Sequence, residues 1–175
     1  LYLAQLYGRT SQNAKAMAIL EDPTYGLLPT LAKEESARNI PGFAPEVYKL
    51  GLQVYVQERQ DQKSDSMMKL LEDSFKGDPR AADRLTAVYY RLSLELKEDL
   101  ERQLREKKTK EFQATLSSAE AFYKRIASRS DNTFGTLNLV GETLFSLGES
   151  SKAEGNLDNA RTLFGVARTA FEKMN

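Results

Sequence analysis

The chain has no cysteine, no histidine and no tryptophan among its 175 residues. Without cysteine it can form neither a disulfide framework nor a thiolate metal site, and it has no thiol nucleophile. Without histidine it lacks the commonest general base and metal ligand, which excludes a Ser-His-Asp triad and a zinc site of the usual type. Only carboxylate chemistry remains open, and we predict no enzymatic activity, no cofactor and no metal site.

An excess of either sign of charge is also missing, because 25 Lys and Arg balance 25 Asp and Glu. A nucleic-acid surface or a polybasic membrane patch needs a basic stripe, so we expect no nucleic-acid partner. No apolar run approaches the roughly 20 residues that a membrane-spanning helix needs, so we expect no membrane insertion. The absence of cysteine fits the cytoplasm and an exported bacterial compartment equally well.

What the chain does have is apolar residues at helical spacing. No segment shows the alternation of apolar and polar residues that is typical of a β-strand. Gly77, Asp78 and Pro79 form a break in which glycine ends one helix and aspartate caps the next. The helix that follows is predicted to reach about Lys107. The next is predicted over about 109–128, folded back antiparallel on its predecessor. These features predict an all-α fold.

Proline is scarce outside one stretch, and four of the five prolines lie between residues 23 and 45. Because proline breaks helices, this stretch is predicted to be a long irregular connection with one short helix near Thr30 to Arg38. Pro45 suits the first turn of the next helix, which is predicted to run to about Gln60. The connection is read either as an insertion between repeats or as a functional loop.

The most specific pattern in the chain lies between residues 144 and 167. Gly148 lets a second helix approach closely, and Ala160 and Ala167 are small residues that would face it. Phe164 would fill the space beside these two alanines. Gly155 and Asn156 separate the two helices, since both residues accept a positive φ at low cost. The full pattern is Leu144-x2-Leu147-Gly148-x2-Ser151, then Gly155, then Ala160-x3-Phe164-x2-Ala167.

This pattern resembles one tetratricopeptide repeat, a pair of antiparallel helices with a Leu-Gly cadence followed by alanine and an aromatic. Leu144 stands where tryptophan is commonest in that family, and Ser151 where tyrosine is usual. Weaker matches occur at Leu50-Gly51-x2-Val54 and at Leu3-Ala4-x2-Tyr7 before Ala16-x3-Leu20. In the latter, Ser11 replaces the loop glycine.

The resemblance implies a tetratricopeptide-like α-solenoid of antiparallel helical hairpins, some of them elongated. We therefore expect a single helical-repeat domain over residues 1–175, read as part of a longer chain because it begins at Leu1 without methionine. The implied function is a non-catalytic scaffold that binds a peptide or protein on its concave face. Two alternatives are a helical accessory domain of a larger enzyme and a structural spacer. The sequence leaves the oligomeric state open.

In this family the first helix of each pair lines the inner surface, and the resemblance places two groups of residues there. Exposed aromatic residues in such a groove are plausible anchors for a partner. The competing interpretation is that Tyr48 and Tyr55 simply cover the proline-rich connection. The candidate partner-binding residues are Tyr48, Lys49, Leu52 and Tyr55 in one hairpin, and Phe145, Ser146, Glu149 and Lys152 in the other.

Overall fold

A computed structural model describes residues 1–10, 12–129 and 132–174. Across these residues all regular secondary structure is helical and there is no strand, which confirms the prediction of an all-α protein. The helices are α1 (Tyr2–Arg9), α2 (Asn13–Glu21), α3 (Leu27–Lys33), α4 (Glu35–Arg38), α5 (Phe43–Gln57), α6 (Asp61–Ser74), α7 (Ala81–Arg105), α8 (Thr109–Ser128), α9 (Phe134–Ala153) and α10 (Leu157–Glu172).

The helices form two compact units, Leu1–Ala81 and Ala82–Asn175, where the sequence was read as one domain. The core of the first unit joins residues from α1 to α5, including Leu20, Leu31, Val47 and Leu50. The second unit contains α7 after its first residue, together with α8, α9 and α10. Its core includes the fully buried side chains of Leu100, Tyr123, Ile126, Leu144 and Leu147.

One turn recurs along the chain at a constant interval. Helices α2, α6, α8 and α10 begin at residues 13, 61, 109 and 157, each 48 residues after the one before. In each turn the backbone N–H just before the new helix donates to a carbonyl five residues back, which closes the preceding helix. These bonds run from Gln12 to Tyr7, from Gln60 to Tyr55, from Lys108 to Gln103 and from Asn156 to Ser151, at 2.8–2.9 Å.

In the three later turns, the residue before the donor reverses the chain. Arg59, Lys107 and Gly155 have φ angles of 58°, 56° and 78°, in the left-handed region. Gly155 fits this position without strain, whereas Arg59 and Lys107 carry a Cβ there. The corresponding residue of the first turn is Ser11, the expected replacement for the loop glycine, which lies outside the described residues.

Several predicted boundaries follow from local chemistry and are confirmed. Gly77 has a φ of 85°, and the backbone N–H of Arg80 donates to Asp78 Oδ1 at 2.8 Å. Helix α7 begins only at Ala81, so Asp78 lies three residues before it and not at its N-cap, where the sequence predicted it. Helix α8 spans Thr109–Ser128 as predicted. The proline-rich stretch differs, because it holds two short helices, α3 and α4, rather than one. Pro29 is the third residue of α3, within the first turn, where a missing N–H is tolerated.

Candidate protein-binding groove

Helices α9 and α10 approach each other closely at two glycines. A Cβ added to Gly148 would lie 2.5 Å from Cε1 of Phe164, and a Cβ on Gly141 would meet the ring of Phe171 more closely still. Gly141 and Gly148 are seven residues apart on α9, and Phe164 and Phe171 are seven apart on α10. The two helices are therefore antiparallel. Phe164 covers Gly148 and Phe171 covers Gly141, and these two contacts lie two helical turns apart.

A third ring completes an apolar groove beside these contacts. Phe145 lies between the two glycines on α9, and its ring centroid is 5.4 Å from that of Phe164. The Phe145 side chain is 51 % exposed, while Phe164 and Phe171 are half-buried. The groove encloses about 560 Å³ and is lined by Phe145, Glu149, Phe164, Ala167, Arg168, Phe171 and Glu172.

The rim of the groove carries both signs of charge. Arg168 Nε donates to Glu172 Oε1 at 2.7 Å, and this bond raises the pKa of the Arg168 guanidinium. Lys152 Nζ lies 4.0 Å from Glu149 Oε1, and both side chains are more than half exposed. Exposed pairs of this kind contribute little to stability, so these charges remain available to orient a bound segment.

The four candidate residues of this hairpin do not all reach the groove. Phe145 and Glu149 line it. Lys152 stands outside it beside Glu149. Ser146 is half-buried, and its carbonyl accepts a bond from Ser150 Oγ at 3.1 Å. Only two of the four residues are therefore placed to touch a segment in the groove.

The four candidate residues of the first unit do not form an open surface, and the expectation that Leu52 and Tyr55 line one is corrected. Leu52 and Tyr55 are only 0 % and 1 % exposed. Tyr48 packs against the core that includes Leu31 from the proline-rich stretch, which agrees with the covering role considered for it. Lys49 Nζ donates to Glu46 Oε1 at 2.6 Å.

The Tyr55 hydroxyl takes part in a structural cluster. It donates to Glu21 Oε1 at 2.7 Å, and Lys63 Nζ donates to the same oxygen at 2.6 Å. Burial raises the pKa of Glu21, but the hydrogen bonds from Lys63 and Tyr55 outweigh it and hold that pKa below its usual value. Burial and the neighbouring Glu21 carboxylate raise the pKa of Tyr55. This cluster ties α2, α5 and α6 together.

Sequence reasoning placed Phe164 between the helices and did not single out Phe171 or Arg168. The signal for Phe171 was present, because Gly141 precedes Gly148 by seven residues just as Phe164 precedes Phe171. Reading the glycine and phenylalanine pairs together would have predicted both contacts and the space between them.

Within the described ranges no group of three or more carboxylates is arranged to hold a metal ion. Among the helices described, none is long and apolar enough to cross a membrane, as predicted. No protein-family model, no curated protein and no solved structure matches this chain.

Proposed function

We propose that this protein is a non-catalytic interaction module and that the groove between α9 and α10 binds an amphipathic helical segment of a partner protein. The observation that carries the proposal is the half-exposed Phe145 beside Phe164 and Phe171. Three aromatic rings at one surface offer a large apolar area that water covers in the free protein. Aromatic side chains dominate the binding energy of many interfaces.

The spacing of the rings supports a helix as the bound element. Phe164 and Phe171 are seven residues apart, about 10 Å along α10 at 1.5 Å per residue. A partner helix with apolar residues at positions i, i+3 or i+4, and i+7 has an apolar stripe of the same length along one face. Glu149 and the Arg168–Glu172 pair stand at the rim, where they would favour a partner with a basic residue beside its apolar stripe.

We further infer that the helical hairpins belong to a tetratricopeptide-like solenoid. The constant 48-residue interval between equivalent turns supports a repeat array. A standard tetratricopeptide repeat has about 34 residues, so the units proposed here are longer than the family norm. In such an array the function lies in the presented surface rather than in bond-making chemistry.

The test begins with selection of helical peptides from a displayed amphipathic library against the full chain. The affinity of a selected peptide is then measured for the wild type, Phe145→Ser and Phe134→Ser. Phe134 is a matched control, since it lies on the same helix and is 68 % exposed but does not line the groove. We expect Phe145→Ser to weaken binding roughly thirtyfold, in line with about 2 kcal/mol for an aromatic anchor.

The control should bind as the wild type does, and both variants should keep the melting temperature of the wild type within about 2 °C, since neither side chain belongs to the buried core. Selected peptides that bind Phe145→Ser and the wild type equally would refute the proposal. So would a library that yields no specific binder.

A further inference from the structure

The first unit shows how one helical hairpin receives the helix that follows it. Helix α5 packs against the hairpin of α1 and α2, and Leu50 and Val54 of α5 lie in the core that these helices share. A Cβ added to Gly8 of α1 would lie 3.2 Å from Leu50 Cδ1. Gln5 Nε2 of α1 donates to Glu46 Oε2 of α5 at 3.2 Å. One face of the α1–α2 hairpin is therefore a docking face for the next helix.

The groove between α9 and α10 occupies the equivalent place on its own hairpin. Helix α2 begins at residue 13 and α10 at residue 157, which is 144 residues or three of the 48-residue intervals later. On the α1–α2 hairpin, two leucines belong to or pack against the core that α5 shares, and one glutamine bonds to α5. Their counterparts all line the groove. In chain order, Leu1, Gln5 and Leu20 correspond to Phe145, Glu149 and Phe164.

Helix α1 carries an exposed apolar stripe that matches such a docking face. Tyr2 and Leu6 are 90 % and 55 % exposed, and Leu3 beside them is also exposed. The residues 48 positions after Tyr2 and Leu6 are Leu50 and Val54, which α5 buries in the core that it shares with α1 and α2. The exposed stripe of α1 is therefore equivalent to the face with which α5 packs on the hairpin before it.

We propose that α1 of one copy of this chain docks in the groove between α9 and α10 of a second copy. The inference rests on the function proposed for the groove and names its occupant. Tyr2 and Leu6 lie against the apolar surface of the groove, as Leu50 and Val54 of α5 lie against α1 and α2. Arg9 follows Leu6 by three residues and is exposed, so it supplies the basic residue that the rim of the groove favours.

The two docking partners are different surfaces, which determines the kind of assembly. A contact between unlike surfaces of identical chains is heterologous, so each copy that joins leaves one α1 stripe and one groove free at the ends. Association therefore continues beyond a dimer as the concentration rises. A symmetric dimer, in which α1 contacts α1 or one groove contacts another, would instead stop at two chains.

The test measures the molar mass of the full chain by sedimentation equilibrium at rising concentration. The wild type should exceed the monomer mass between about 10 and 500 µM, the range of a small interface. Leu6→Ser on α1 and Phe145→Ser in the groove should each stay monomeric over that range. Tyr25→Ser is the matched control, since Tyr25 is an exposed aromatic residue of the first unit outside α1, and it should associate as the wild type does.

Mixing the two defective variants tests the pairing of the surfaces. Leu6→Ser keeps an intact groove and Phe145→Ser keeps an intact α1 stripe, so an equimolar mixture should form a dimer of one chain of each and nothing larger. This recovery also shows that both variants are folded. A wild type that is monomeric throughout, a mixture that stays monomeric, or self-association by either variant alone would overturn the proposal.

Peptide binding distinguishes this inference from the function on which it rests. The groove of Leu6→Ser is free, so the affinity of a selected amphipathic peptide is measured with that variant. If the peptide binds and the wild type remains monomeric, the groove keeps its proposed function and α1 is excluded as its occupant. If no peptide from the library binds, the proposed function of the groove fails. In the supported case, the same peptide should also dissociate the wild-type assembly to monomers.

Discussion

Two glycines of α10 and α9 differ sharply in what surrounds them, and they provide a matched pair of substitutions. Gly148 is buried under the Phe164 ring, whereas a Cβ added to the exposed Gly165 meets nothing within 4 Å. Gly148→Ala should therefore destabilise the protein by about 1–3 kcal/mol through overpacking. Gly165→Ala should stabilise it by about 0.5–1 kcal/mol, because alanine has the higher helix propensity. Denaturant unfolding of both variants measures these values.

Rescue identifies the contact responsible for the loss. Phe164→Ala removes the ring that the new methyl group meets, so Gly148→Ala should cost little in that background. Equal stability of Gly148→Ala and Gly165→Ala, or the same loss with and without the Phe164 ring, would show that the close approach of α9 and α10 has been misread.

The cluster around Glu21 predicts a pH dependence of stability. The pKa of Glu21 is lowered in the folded protein, so its contribution is present above its usual value of 4.5 and is lost as pH falls through the folded pKa. Glu21→Gln should flatten the fall in the free energy of unfolding between about pH 5 and pH 3. Glu21 is partly exposed, and we expect a difference below about 1 kcal/mol. Parallel curves for the two proteins would exclude this role.

At the scale of helices, the recurring turns differ in which residue holds the left-handed position. Equivalent positions hold lysine at 107 and glycine at 155, both with positive φ. Since a Cβ in the left-handed region is strained, Lys107→Gly should stabilise the protein by up to about 1 kcal/mol. Gly155→Ala should destabilise it by about as much. Thermal unfolding of the two variants checks both signs, and a stabilising Gly155→Ala would contradict the turn geometry.

Helix boundaries could be predicted where their chemistry is local. The positive φ of Gly77 and the hydrogen bond that Asp78 accepts from the Arg80 N–H separate α6 from α7, and both residues could be recognised from their type alone. The 48-residue interval could not be read in the same way. Its equivalent positions hold Tyr7, Tyr55, Gln103 and Ser151, which are three different residue types, because the turn uses only their backbone carbonyls.

Which face of each helix is buried was harder to predict than where the helix begins and ends. Glycine positions correctly indicated which face of α9 meets α10, because the missing side chain is itself the signal. For α5, the resemblance to the repeat family placed Leu52 and Tyr55 on an open side, yet both are buried. A sequence pattern shows the contact within one hairpin, but it does not show which other side chains cover the remaining face.

At the scale of the whole molecule, the division into two compact units predicts independent folding. A fragment of residues 78–175 retains Asp78, which accepts from the Arg80 N–H in the turn before α7, and all of α7 to α10. It should be monodisperse and helical by circular dichroism, and it should unfold cooperatively, because each unit has its own buried core. A fragment that is unfolded or that aggregates would show that the second unit depends on the rest of the chain.

The interaction groove is the central claim of this account, and backbone amide chemical shifts test it most directly. The measurement is titration of the isotope-labelled full chain with a selected amphipathic peptide. We predict that the largest shift changes cluster at residues 145–149 and 164–172, which border the groove. Residues 48–55, where Leu52 and Tyr55 are buried, should change little. Shift changes concentrated at residues 48–55, or spread without a cluster, would contradict the proposed binding surface.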